Sequence, residues 1–270
     1  MRIIYFCTYP SKELLTQLHI SILLVKAALP KSDIHIFSTD ESLGRTWPIH
    51  LHFLSKDKLT EWQGTHQFFW RIKMKVIEEM SQIFPESKLL YLDADTLPIN
   101  LEELENNLNA PMMHCCEGAL KELRTKTERK MLKQLNGKVF EDILVTGNSK
   151  MFNAGLIAIP ANSAGKIARS IALCDAFLDW QVIPRLLEQL AFSLVLNKND
   201  KIKEGHRYVA HYWSTKDLWA TYLEEWLKKH GSMNFEKQVA AVHSLDLEAF
   251  PYWAKRSNTV RRVRRIFGFK

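Results

Sequence analysis

Two carboxylates one residue apart, Asp93 and Asp95, close a short apolar run within residues 88–99 that reads as a buried strand stopped by Pro98. A regular strand would put both side chains on one face, and the looser backbone past its end lets both reach one cation. Oxygen ligands of this kind suit Mg²⁺ or Mn²⁺, which can then bridge to the oxygens of a diphosphate. Solvated turn aspartates are the alternative, because aspartate is a common turn residue. A second group of interest is Asn153-Ala154-Gly155, which enters the apolar run 156–159. Its small residues allow a backbone or ligand to come close, and Asn153 offers both a donor and acceptors. A glycine bulge with a buried asparagine satisfying backbone explains the same residues.

These groups need a frame, and the patterning supplies an α/β one. Residues 2–8 read as a first strand. Ser11 can cap a helix in which Leu14, Leu15, Leu18, Ile22, Val25 and Leu29 recur at helical spacing, and residues 33–38 read as a second strand. A β-α-β opening implies a right-handed crossover and a parallel pair, with the loops after the strands lining a ligand site. Residues 46–54 suggest a short edge strand limited by Trp47-Pro48, and residues 65–84 a helix with Phe68, Phe69, Ile72, Val76, Ile77 and Met80 inward. Arg71, Lys73 and Lys75 punctuate that helix, and a solvated face accounts for Lys73 and Lys75. A short helix over 101–108, a strand over 112–116, a helix over 162–180 and a short strand at 208–210 complete the reading. The charged interval 117–150 reads as an exposed helix ended by Asn136-Gly137, either a lid over a site or an ordinary surface helix.

Composition narrows the function classes. With 270 residues, 46% of them hydrophobic, the chain can bury one sizeable core. Of 37 Lys and Arg, seven follow residue 250, where no Asp or Glu occurs; the rest of the chain carries 30 basic and 30 acidic groups. The net charge of +7 therefore belongs to the tail, and a nucleic-acid partner is not expected for the body. In the tail, Val260, Val263, Ile266 and Phe267 can share one helical face among four arginines, with Tyr252, Trp253 and Phe269 as interfacial aromatics. Such a segment suits an anionic membrane surface. Residues 1–245 are accordingly expected to form the main domain and 246–270 a membrane-associating tail. No run of eighteen apolar residues occurs, the N-terminus lacks a signal-peptide pattern, and the four cysteines show no CxxC spacing, so a cytoplasmic chain with buried free thiols is expected.

The run Tyr91-Leu92-Asp93-Ala94-Asp95-Thr96, followed by Met151-Phe152-Asn153-Ala154-Gly155, resembles the nucleotide-sugar glycosyltransferases of the GT-A fold, in particular glycosyltransferase family 8. The resemblance implies a Rossmann-type mixed sheet flanked by helices, a nucleoside-diphosphate sugar (a UDP-sugar foremost) as donor, and a Mn²⁺ or Mg²⁺ cofactor on Asp93 and Asp95. It also implies a glycan or glycolipid acceptor, retention of configuration, and a place in bacterial surface polysaccharide or lipooligosaccharide synthesis at the cytoplasmic face of the inner membrane. Residue by residue, it places the nucleotide at Cys7, Thr8 and Tyr9, a basic helix residue at Arg71, and the donor sugar at Asn153. Leu187-Glu188-Gln189 resembles the family's Asp-Gln segment beneath the anomeric carbon, with Glu188 in place of Asp. His211 to Trp219 resembles the segment in which a histidine completes the metal site and a lysine, here Lys216, binds the departing diphosphate. Ser214 and Leu218 depart from that pattern, and Lys216 comes one residue early. An imidazole beside two carboxylates favours Mn²⁺, and His243 is the rival for His211's place. Two other readings stay open: a membrane-associated scaffold that binds nucleotide sugar without turnover, and a sugar-phosphate nucleotidyltransferase. The latter is disfavoured because no glycine-rich basic loop follows the first strand.

Overall fold

The computed structural model describes residues 1–197 and 202–253. β1 (Arg2–Cys7), α1 (Lys12–Ala28) and β2 (Asp33–Ser38) form the expected crossover with β1 and β2 parallel. The Ser11 side chain caps α1 by accepting from the Leu14 amide at 3.1 Å. β3 (His50–Phe53) lies at the sheet edge, where Pro48 just before it costs no ladder bond. The next helix is not one but two, α2 (Lys56–Gln63) and α3 (Arg71–Ile83). Gly64 at φ 71° and Gln67 at φ 50° turn the chain between them, so the expected start near residue 65 moves to Arg71. β4 (Leu89–Leu92), β5 (Thr96–Pro98), α4 (Leu101–Asn107) and β6 (Met112–Met113) follow.

Residues 116–152 hold more than the single expected helix: β7 (Cys116–Ala119), α5 (Lys126–Leu135), β8 (Lys138–Phe140), β9 (Ile143–Val145) and β10 (Lys150–Phe152). Helix α5 opens with a reciprocal capping box between Thr125 and Glu128. The chain continues through β11 (Leu156–Ile159), α6 (Ala164–Asp179), α7 (Leu187–Leu196), β12 (Lys203–Glu204), β13 (Val209–His211), α8 (Lys216–His230) and α9 (Phe235–Ala241).

The main sheet has the order β12-β6-β11-β4-β1-β2-β3, with β4, β1, β2 and β3 parallel and β11 antiparallel to both its neighbours. It is a mixed α/β sheet, as expected. Strands β4 and β11 are buried along their whole length, which fits their near-continuous apolar sequences. Helices α3, α6 and α7 cover one face through Ile72, Ile77, Phe177 and Phe192, and α1 and α4 cover the other through Leu18, Ile22 and Leu104. A smaller cluster around Trp219, Tyr212 and Trp226 docks α8 on α1. The Tyr252 ring stacks on Trp219 with centroids 5.4 Å apart and planes 8° apart. Tyr252, half-buried, thus joins this packing. The remaining expected tail, 254–270, lies outside the described residues. Among the described residues no helix is long and apolar enough to cross a membrane.

Candidate active site

The parallel strands end along one rim of the sheet, and there β4 stops at Leu92 and β5 starts at Thr96. The three intervening residues turn tightly, with the Thr96 hydroxyl donating to the Asp93 carbonyl at 2.7 Å and the Asp93 amide donating to the Gly155 carbonyl at 2.9 Å. β13 pairs antiparallel with β5 so that His211 lies opposite Thr96. Register alone therefore brings the imidazole beside the carboxylates. Asp93, Asp95 and His211 each offer a ligand atom, all within 4.8 Å of one another. His243, the rival, is exposed just after α9 and outside this group.

The donor set fits a small divalent cation. Two carboxylates supply hard oxygens, and His211 Nε2 is buried with no hydrogen-bond partner, 3.4 Å from Asp95 Oδ1. Its other nitrogen, Nδ1, lies 2.9 Å from Asn153 Oδ1, which leaves Nε2 free to ligate. Gly155 makes room for this arrangement, because a Cβ there would collide with the His211 ring. Two lysines already balance the carboxylates: Lys73 Nζ sits 3.0 Å from Asp93 Oδ1 and Lys216 Nζ 2.7 Å from Asp95 Oδ2. Burial would push the Asp95 carboxyl up, but His211 and Lys216 outweigh it and hold it well below the usual carboxylate range.

Opposite lies the start of α7. Glu188 and Gln189 are both buried. Gln189 has a partner at each end of its amide: its carbonyl accepts from the Ala154 amide at 3.2 Å and its NH₂ donates to Glu117 at 2.8 Å. Glu188 has one buried oxygen, Oε2, without a partner, and burial raises its pKa even though Lys73 opposes the rise. A cleft of about 420 Å³ separates the two sides and is lined by Thr8, Asp93, Asp95, Asn153, Glu188, Gln189, His211 and Lys216. Eight of the ten residues singled out in the sequence thus meet in one place.

Two do not. Arg71 turns away from the cleft and makes paired contacts of 2.8 and 2.9 Å to Asp175, with a third to the Trp62 carbonyl. Tyr9, with its backbone left-handed at φ 48°, holds its ring 72% exposed beyond the cleft lining. The basic residue that α3 does send into the cleft is Lys73, only 3% exposed, between the Trp70 and Tyr91 rings. Its spacing could have found it: Lys73, Val76, Ile77 and Met80 lie at i, i+3, i+4 and i+7, on the apolar stripe, whereas Arg71 and Lys75 share another side. Glu117 and the half-exposed Trp70 and Trp213 were also missed, and no local pattern marks them.

No protein-family model matches the sequence, and neither does any curated protein. Among solved structures, the galactosyltransferase LgtC in complex with donor and acceptor sugar analogues is similar at 13% identity, over 92% of this chain and 98% of that one, with a TM-score of 0.54. The glycosyltransferase GlyE of Streptococcus pneumoniae is similar over 94% of this chain and 65% of that one, at 11% identity and a TM-score of 0.49. A putative glucose-1-phosphate thymidylyltransferase from Bacillus anthracis is similar at 11% identity over 89% and 99% of the two chains, with a TM-score of 0.48. The sheet order, the helices on both its faces and the near end-to-end match with LgtC establish that this chain has the GT-A fold that its two motifs implied.

Proposed function

We propose that the protein is a divalent-metal-dependent glycosyltransferase that takes a hexose from a nucleoside-diphosphate sugar, a UDP-sugar foremost, and passes it to a glycan or glycolipid. The observation that carries this reading is the convergence of Asp93, Asp95 and His211 across one cleft from Asn153, Glu188 and Gln189. Asp93, Asp95 and His211 would hold Mn²⁺ or Mg²⁺. When bound, such an ion neutralises charge on the departing diphosphate as a Lewis acid. Lys216, whose side chain is 40% exposed, is free to swing from Asp95 toward that diphosphate, and Lys73 contacts Asp93 from α3 at 3.0 Å. Thr8 lines the nucleotide end of the cleft. Asn153, Glu188 and Gln189 bring neutral and weakly acidic hydrogen-bonding groups to the sugar, and the Gln189 carbonyl lies beside developing positive charge. Attack of the acceptor hydroxyl from the leaving-group side would give retention.

For the context, we propose a bacterial surface glycan or lipooligosaccharide acceptor and residence at the cytoplasmic face of the inner membrane. The support is compositional: seven basic and no acidic residues after position 250. Binding to phosphatidylglycerol vesicles that is lost on truncation after residue 253 tests it.

The decisive experiment is release of nucleoside diphosphate from a panel of UDP-, GDP-, CMP- and dTDP-sugars with Mn²⁺, Mg²⁺ or EDTA. The expected result is turnover that needs metal and falls at least about 10²-fold in Asp95→Ala. Metal-dependent donor binding without release would turn the reading to a non-catalytic scaffold, whose favouring observation is that both carboxylates already have lysine partners. No donor binding across the panel would end the glycosyltransferase assignment.

A further inference from the structure

We propose that Glu117, in β7, is a positioning residue that sets the orientation of the Asn153 and Gln189 amides together and, through Asn153, the tautomer of His211. The carboxylate oxygens each take one amide: Oε1 accepts from Asn153 Nδ2 at 3.0 Å and Oε2 from Gln189 Nε2 at 2.8 Å. An ionised carboxylate only accepts, so both side chains must turn their NH₂ ends toward it and their carbonyls away. The consequences follow in order. The Gln189 carbonyl faces the Ala154 amide at 3.2 Å, and the Asn153 carbonyl faces the Gly155 amide at 3.0 Å and His211 Nδ1 at 2.9 Å. A carbonyl facing Nδ1 demands a proton on that nitrogen. In neutral imidazole the lone pair then sits on Nε2, the buried atom without a partner that points toward Asp95. Glu117 is therefore two hydrogen bonds removed from His211, yet it decides which His211 nitrogen can ligate. It also ties the two sides of the cleft into one network, since the same carboxylate holds Gln189 on α7 and Asn153 ahead of β11.

This placement owes little to β7's regularity. The β7–β10 ladder shifts register between Met151 and Phe152, and Gly118 adopts φ 116°. The break falls beside Glu117, where a bulge re-aims a side chain.

The test begins with the unsubstituted, metal-free protein at a pH where His211 is neutral. Long-range ¹H–¹⁵N correlation of its imidazole should show the proton on Nδ1; a proton on Nε2 would overturn the proposal without any variant. Glu117→Ala and Glu117→Gln are then compared. A glutamine has only one acceptor oxygen, so it cannot hold both NH₂ groups. Glu117→Ala should give a mixed tautomer population, and both variants should bind Mn²⁺ about 10–100-fold more weakly by calorimetry. An unchanged tautomer together with Mn²⁺ affinity within about twofold in either folded variant would refute the positioning role. Only the affinity arm rests on the metal reading. If the unsubstituted protein binds no Mn²⁺, that reading fails, and the tautomer in the unsubstituted and Glu117→Ala proteins still decides for or against Glu117.

Discussion

The two sides of the cleft balance buried charge in opposite ways. On the Asp93–Asp95 side, each carboxylate meets a lysine, and Asp95 meets His211 as well. On the α7 side, Glu117 meets two neutral amides and Glu188 keeps an oxygen with no partner. Cations in direct contact lower a carboxyl pKa despite burial, while burial without such a contact raises it. Asp95 is accordingly shifted down and Glu188 and Glu117 up. One side thus pairs its carboxylates with cations, and the other surrounds its carboxyl groups with neutral hydrogen-bonding partners. Under the proposed glycosyl transfer, a leaving diphosphate would need the first and a sugar with its hydroxyls the second.

Removing the space that lets the two sides meet should have the largest effect. Gly155→Ala puts a methyl group into the His211 ring, so the imidazole must leave its place between Asn153 and Asp95. Mn²⁺ affinity should drop by about 10–100-fold, as for loss of a ligand's orientation. Donor turnover should fall with it. If metal affinity survives while His211 is displaced, Asp93 and Asp95 suffice and the imidazole is not a ligand.

Glu188→Gln sharpens the contrast from the other side. The folded protein holds the Glu188 proton more tightly than the unfolded chain, whose value is about 4.3. Between those two values the native state binds more protons, so this group makes stability fall as pH rises through that window. Glutamine resembles the neutral acid and carries no such cost. Chemical denaturation at pH 8 should therefore find Glu188→Gln as stable as the parent or more so, by about 1 kcal/mol, with donor affinity reduced. A clear loss of stability at pH 8 would show that Glu188 is held ionised by Lys73 and would erase the distinction between the two sides.

The histidines behind the Asp93–Asp95 side and under the edge strand predict a smaller, graded effect. Burial lowers His114 to about 3 and His35 to about 4, so both stay neutral in the folded protein while the unfolded chain takes up protons below about 6.5. The stability they lend is present above the unfolded value and is lost as pH falls toward those lowered values, at no more than about 1.4 kcal/mol per pH unit each. A Tm that declines from pH 7 to pH 5 in the parent and declines less in His114→Phe would agree. A flat profile would count against burial as the cause.

The ends of β1, β2, β4 and β11 were legible because a strand buried on both faces writes itself as an apolar run, and Asp93-x-Asp95 was legible because it stands at such an end. His211 was found by its segment, but what puts it beside Asp95 is the β5–β13 register, a pairing across more than a hundred residues that no local pattern records. Residues 116–152 were misread for a related reason. Their strands are three or four residues long, too short for a period to show, and they pair as small ribbons apart from the main sheet. Glu117 sits in one of them. Its role comes from two amides 36 and 72 positions away, and chain order gives no hint of that.

The smallest effect concerns the helix that carries two cations to two different ends. Arg71 and Lys73 are two residues apart on α3, which turns them some 200° from each other. One therefore anchors α3 to α6 through Asp175, and the other enters the cleft beneath Asp93. Arg71→Gln removes a two-pronged ion pair that is partly exposed, with the Asp175 side chain 36% accessible, so the cost should be only about 1 kcal/mol. Donor and Mn²⁺ affinity should stay within about twofold, since no atom of Arg71 lines the cleft. Lys73→Gln should do the reverse, leaving the α3–α6 contact intact and changing donor and metal affinity. If Arg71→Gln abolished donor binding without loss of stability, the guanidinium would have to leave Asp175 for the cleft when the nucleotide arrives. The division of labour along α3 would then describe only the ligand-free protein.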